Sequence, residues 1–110
     1  MAQTVTILSG ASLSGVFEIG NLSLVSIELP ATWTAASVTL AVATDGVTFK
    51  PLFDNSGEVV FPSTSGNTYF ACDPKHFIGV QQLKVRSGTN AVPVVQAADR
   101  IVTLTIRPIA

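Results

Sequence analysis

The feature that most constrains this chain is a two-residue alternation of apolar and small polar side chains. It recurs from end to end and is broken at short intervals by glycine, proline, asparagine and aspartate. A period of two puts alternate side chains on opposite faces of an extended strand. Val5 and Ile7 alternate with Thr4 and Thr6, and Val38, Leu40 and Val42 with Thr39, Ala41 and Ala43. Leu83 and Val85 alternate with Gln82, Lys84 and Arg86, which reads as a half-exposed strand, and Val102, Leu104 and Ile106 oppose Ile101, Thr103 and Thr105. Shorter β-prone pieces fall at 16–19, 47–53, 58–61 and 69–72. About eight strands at regular turn spacing predict an all-β fold, an antiparallel β-sandwich or jelly roll.

The punctuation adds detail. Leu22 and Leu24 share one parity while Val25, Ile27 and Leu29 share the other, which fits a β-bulge or a stretch buried on both faces. Pro30 ends that strand. Asp45-Gly46 predicts a tight hairpin turn, and Pro51 in the return strand marks an edge or a bulge. Asn55-Ser56-Gly57 is a turn, Pro62 to Asn67 a polar loop, and Ser87 to Ala98 the longest irregular segment. Asp73-Pro74 predicts the cap and first turn of a short helix that Gly79 stops, the one helical signal in the chain.

One domain over 1–110 accommodates these elements, because 110 residues support a single core. A compact fold of this mass exposes roughly 5,800 Å², enough core to stand without a metal or a disulfide. Charged residues make up 12% of the chain, about half the usual share, and the net charge is −1. Six cations scattered from Lys50 to Arg107 do not make a grip on nucleic acid. No apolar run approaches the length of a membrane span. The opening Met-Ala-Gln-Thr-Val-Thr-Ile-Leu reads as no secretory signal, and a single Cys72 has no internal partner, so the expectation is folding in a reducing cytoplasm.

Catalytic chemistry has little to work with. His76 is the sole histidine, Cys72 reads as a small core residue, and no third group orients the pair, so the expectation is no enzyme and no cofactor. Asp45, Asp54, Glu58, Asp73 and Asp99 are not spaced as a dense ligand loop, and no metal is expected. Two binding readings remain. Trp33 and Tyr69 could form an aromatic platform for a glycan, with Asn67, Gln81 and Gln96 as hydrogen-bond partners, although Trp33 could equally seal one end of the sandwich. Alternatively the surface is the function: few charges and many small strand residues suit packing against copies or a lattice. Trp33, Phe53 and Phe61 are then the candidate anchors. Arg86 and Arg100 are candidate clamps across a subunit seam, or pair with Asp99 or another acid inside the fold.

Several segments carry a resemblance. They are Trp33-Thr34-Ala35-Ala36, Asp45-Gly46-Val47-Thr48-Phe49, Phe77 followed by Gly79-Val80, Leu83-Lys84-Val85-Arg86-Ser87-Gly88-Thr89, and Gln96-Ala97-Ala98-Asp99-Arg100. From about residue 30 onward the chain resembles a family of small bacteriophage virion proteins with a galactose-binding-like β-sandwich. The resemblance implies a structural component of a tailed-phage particle, assembled in the host bacterial cytoplasm and localised to the virion. It favours capsid decoration, or cement, with a tail, neck or fibre position as the alternative. The implied partners are the major capsid protein or other virion proteins, with a homo-oligomer, a trimer by preference. No catalytic residues are implied. The Arg86–Gly88 turn and the Gln96–Arg100 segment are implied to be structural signatures.

Overall fold

A computed structural model describes residues 2–108. It is almost entirely strand: β1 (Ala2–Ile7), β2 (Phe17–Glu18), β3 (Ser23–Glu28), β4 (Ala36–Ala43), β5 (Lys50–Pro51), β6 (Phe53–Asp54), β7 (Gly57–Glu58), β8 (Phe61–Thr64), β9 (Tyr69–Ala71), β10 (Gln82–Ser87) and β11 (Arg100–Arg107). A 3-10 helix, Pro74–Phe77, is the one helical element among the described residues. Asp73 caps it by accepting a hydrogen bond from the Lys75 N–H.

Two antiparallel sheets face each other. The first has the order β1-β11-β3-β9 and the second β2-β10-β4, with β5 and β8 both pairing with β4. Apart from the β4–β8 step, which stays within the second sheet, the main chain crosses from one sheet to the other at each successive strand. That is the jelly-roll form of the sandwich. The segment holding β5, β6 and β7 is an excursion from it, β6 and β7 forming their own small hairpin.

The inward faces supply the core. Val5, Ile7, Leu24, Ile27, Val102, Leu104 and Ile106 come from one sheet, and Phe17, Val38, Leu40, Leu83 and Val85 from the other. Alternation along each strand is the local cause, since apolar positions of one parity must share one buried face. The exposed surface is 5710 Å², close to the value expected for the mass. Phe61 on β8 and Phe70 on β9 meet with ring centroids 5.3 Å apart and join the sheets along one side.

The parity change in β3 is a bulge. Thr105 pairs with Ser26 and Ile106 with Leu24, which leaves Val25 as the extra residue. Two expectations are corrected. Asp45-Gly46 does not make a two-residue turn: β4 pairs with β5 only at Ala41–Pro51 and Val42–Lys50, so 44–49 form a longer loop. Asp45 Oδ1 accepts the N–H groups of Val47 and Thr48, which stabilises the wider loop. In addition, β10 is partly exposed only at Gln82 and Lys84. It lies inside its sheet between β2 and β4, and Arg86 is buried with Ser87 beside it.

Candidate interaction surface

Three of the polar residues singled out by sequence, Arg86, Gln96 and Arg100, fall into two internal clusters. In the first, Arg86 Nη1 lies 3.4 Å from Glu58 Oε2 and 3.4 Å from Thr39 Oγ1, with the two charged side chains 9% and 14% exposed. Glu58 also accepts the Asn90 N–H. The β6–β7 hairpin therefore brings a carboxylate over β10, and Arg86 is bound within the fold rather than offered to a seam. In the second cluster Gln96 is fully buried. Its Oε1 accepts the Thr34 N–H at 2.8 Å and Arg100 Nε at 3.0 Å. Its Nε2 donates to Thr34 O at 3.1 Å and Ser87 Oγ at 2.6 Å. Gln96 thus ties the 30–36 connector, the end of β10 and the start of β11 together, and is no glycan ligand. Arg100, half-buried, is held by Gln96 and by Thr34 Oγ1. Asp99 accepts the Ser9 N–H.

Trp33 is 4% exposed, so its ring serves neither as a glycan platform nor as an interface anchor. The reason lies in the loop after β8; residues 62–64, expected to be part of a polar loop, are instead strand. Gly66, at φ +117°, brings that loop so close that a Cβ there would stand 2.8 Å from Pro30 O and 3.1 Å from Trp33 Cβ. The Asn67 N–H donates to Pro30 O in the same contact. Phe61 is half-buried against Phe70, while Phe53 and Tyr69 remain exposed. Gln81 is exposed on the far side of the 3-10 turn.

Several titratable side chains are engaged locally. Burial pushes the Cys72 thiol up to about 12, so it stays protonated at neutral pH. His76 Nε2 lies 3.9 Å from Asp54 Oδ2 and 4.0 Å from Asp73 Oδ2. The Thr48 and Val47 N–H groups hold the Asp45 carboxyl below its usual range. No group of three or more potential metal ligands gathers among the described residues.

What the fold does present is the outer face of the β1-β11-β3-β9 sheet. The strand register sets out rows Thr4–Thr103–Glu28–Tyr69 and Ala2–Thr105–Ser26–Ala71, with the pair Thr6–Ile101 beside them, Ser26 itself being buried. In these rows Glu28 is the only charged side chain. Tyr69 (64% exposed) and Ile101 (57%) provide the large apolar surface. Sequence reasoning recognised Tyr69 as an aromatic candidate but could not place it, because the register between distant strands is not written in alternation.

No protein-family model matches the chain, and no curated protein matches it. Among solved structures, the SPBc2 prophage-derived protein YomS shares the fold. The two superpose with a TM-score of 0.55 over 96% of this chain and 93% of that one, at 12% sequence identity. An all-β sandwich of this layout therefore occurs, nearly whole, in a prophage-derived protein.

Proposed function

We propose that this chain is a non-catalytic structural protein of a bacteriophage virion, and that it decorates the capsid by docking the outer face of its β1-β11-β3-β9 sheet on the major capsid protein. The observation that carries the reading is the near-complete fold match to a prophage-derived protein. It agrees with the resemblance of residues 30 onward to small virion proteins. The link from fold to role is an analogy, since one fold hosts many functions.

The surface supports the same reading. Rows of Thr and Ala with one carboxylate, edged by Tyr69 and Ile101 and with Arg107 at the end of β11, have few charges, as an interface core does. Threonine hydroxyls on such a face can exchange water for partner hydrogen bonds at small net cost. Repeated over a lattice, modest contacts sum to a strong attachment when copies are linked. Docking at a tail or neck would use the same face on a different virion protein.

The test is co-sedimentation of the purified chain with phage heads lacking it. Saturable binding that survives 0.5 M salt and is lost in Tyr69→Asp plus Ile101→Asp is expected. Binding to tails alone moves the site to the tail, and binding to neither overturns the reading.

A further inference from the structure

We propose that β1 is the seam of a two-fold dimer, pairing antiparallel with β1 of a second copy. β1 is the outermost strand of its sheet, and its six residues pair with β11 in unbroken register from Ala2–Thr105 to Ile7–Arg100. Its sequence, Ala-Gln-Thr-Val-Thr-Ile, contains no charge and no proline, and the pairing contains no bulge. Those are the devices by which natural sheets keep an edge from adding strands. The other sheet edges have at least one protection. β2 has two residues, β5 has two and includes Pro51, β8 includes Pro62 and a register shift, and β9 has three.

Beside β1 runs a groove of about 500 Å³, lined by Thr4, Val5, Thr6, Leu8, Leu13 and Val16 among others, with no charged residue in its lining. Leu8, Leu13 and Val16 are exposed there. On the open side of β1, Ile7 bridges to Ser14 at the strand's end. A strand laid along the rest of β1 would gain ladder hydrogen bonds and could set alternate side chains against Leu13 and Val16.

The occupant that fits is a second β1. An uncharged edge beside an uncharged groove calls for an uncharged strand, and β1 meets its own copy with no charge opposite any other. Two-fold pairing also places both grooves in one interface. Six residues span about 20 Å, comparable with the width of a molecule of 36 × 28 × 25 Å. The stretch ahead of Ile7 is centred near Thr4, so the two-fold axis passes beside that residue. Joined in this way, two four-stranded sheets become one continuous sheet and double the docking face. The inference deepens the assembly reading and rests on it only in taking the chain to work as an oligomer. The resulting unit is a dimer, where the family resemblance favoured a trimer.

The test uses the full chain. Sedimentation equilibrium should give twice 11.5 kDa. Thr4→Lys, at an exposed position, should keep the native circular dichroism spectrum and raise the dissociation constant about tenfold or more. Thr4→Cys should form an intermolecular disulfide on mild oxidation, since opposed Cβ atoms of an antiparallel pair come within bridging range. Tyr69→Cys on the opposite edge should not, and the buried native Cys72 stays out of the reaction. A monomer, a dimer indifferent to Thr4→Lys, or cross-linking at Tyr69→Cys in place of Thr4→Cys overturns the proposal. Head binding is scored separately: a β1 dimer that ignores heads keeps this inference and removes the capsid reading. A head-bound monomer does the reverse.

Discussion

Arg86 Nη1 and Glu58 Oε2 stand 3.4 Å apart beneath the β6–β7 hairpin, joining residues 28 positions apart in sequence. Both side chains are mostly removed from water, so neither charge is well solvated without the other. The pair pins the excursion between β4 and β8 onto the outer side of β10, and the Asn90 N–H on Glu58 draws in the loop after β10.

Breaking one side of this pair should therefore cost more than replacing both. Glu58→Ala leaves a buried guanidinium uncompensated and should destabilise the fold by about 3 kcal/mol. Glu58→Leu combined with Arg86→Met should recover most of that loss. Urea unfolding of the wild type and the two variants checks it. Equal losses in the single and double variants would mean that the hairpin is held by other contacts.

Gln96→Ala should be among the most damaging polar substitutions. It removes four hydrogen bonds and leaves the Thr34 N–H without its acceptor in a part-buried site. The expected loss is about 2–4 kcal/mol, or roughly 10 °C or more in Tm. Differential scanning calorimetry reads it directly. Gln96→Glu should also destabilise, because a carboxylate cannot donate to Thr34 O and Ser87 Oγ.

Gly88 adopts φ +90°, and a Cβ there would stand 2.5 Å from Val92 O and 2.6 Å from Val94 N. Backbone cannot yield as a side-chain tip can. Gly88→Ala should cost well over ~1 kcal/mol. Gly79→Ala meets nothing within 4 Å and should stay near wild type. Comparing the two denaturation midpoints separates a packing demand from a general intolerance of substituted glycines.

Cys72 should resist thiol reagents in the folded protein at pH 8 and react fully in urea. The sign of its pH linkage follows from a folded value raised from 9.0 to about 12. Any stability tied to the neutral thiol is intact below pH 9 and falls as pH rises from 9 toward 12. Cys72→Ala should flatten that part of the alkaline stability curve, measured by urea unfolding at stepped pH.

The sequence carried the strands and much of their punctuation, because these are local. The parity change between Leu24 and Val25 is legible as a bulge, and Asp73-Pro74 as a capped turn, since each depends on neighbours a few residues away. The internal readings of Trp33, as a seal of the sandwich, and of Arg86, as the partner of an internal acid, were legible as alternatives, but what covers each was not. Arg86 is covered by a hairpin 28 residues earlier in the chain, and Trp33 by a loop that only Gly66 allows to approach. Gln96 sits in an irregular segment with no periodicity to mark it, and only the folding of Thr34, Ser87 and Arg100 around its side chain gives it four hydrogen bonds. The pairing that lines up Thr4, Thr103, Glu28 and Tyr69 is likewise a product of strand order, which alternation does not encode.

The most direct test of the virion reading is the copy number of this chain in purified particles of the phage that encodes it, measured by quantitative mass spectrometry against the major capsid protein. A fixed, many-copy ratio in DNA-filled heads is the expected result. Absence from purified particles that are otherwise complete would contradict it.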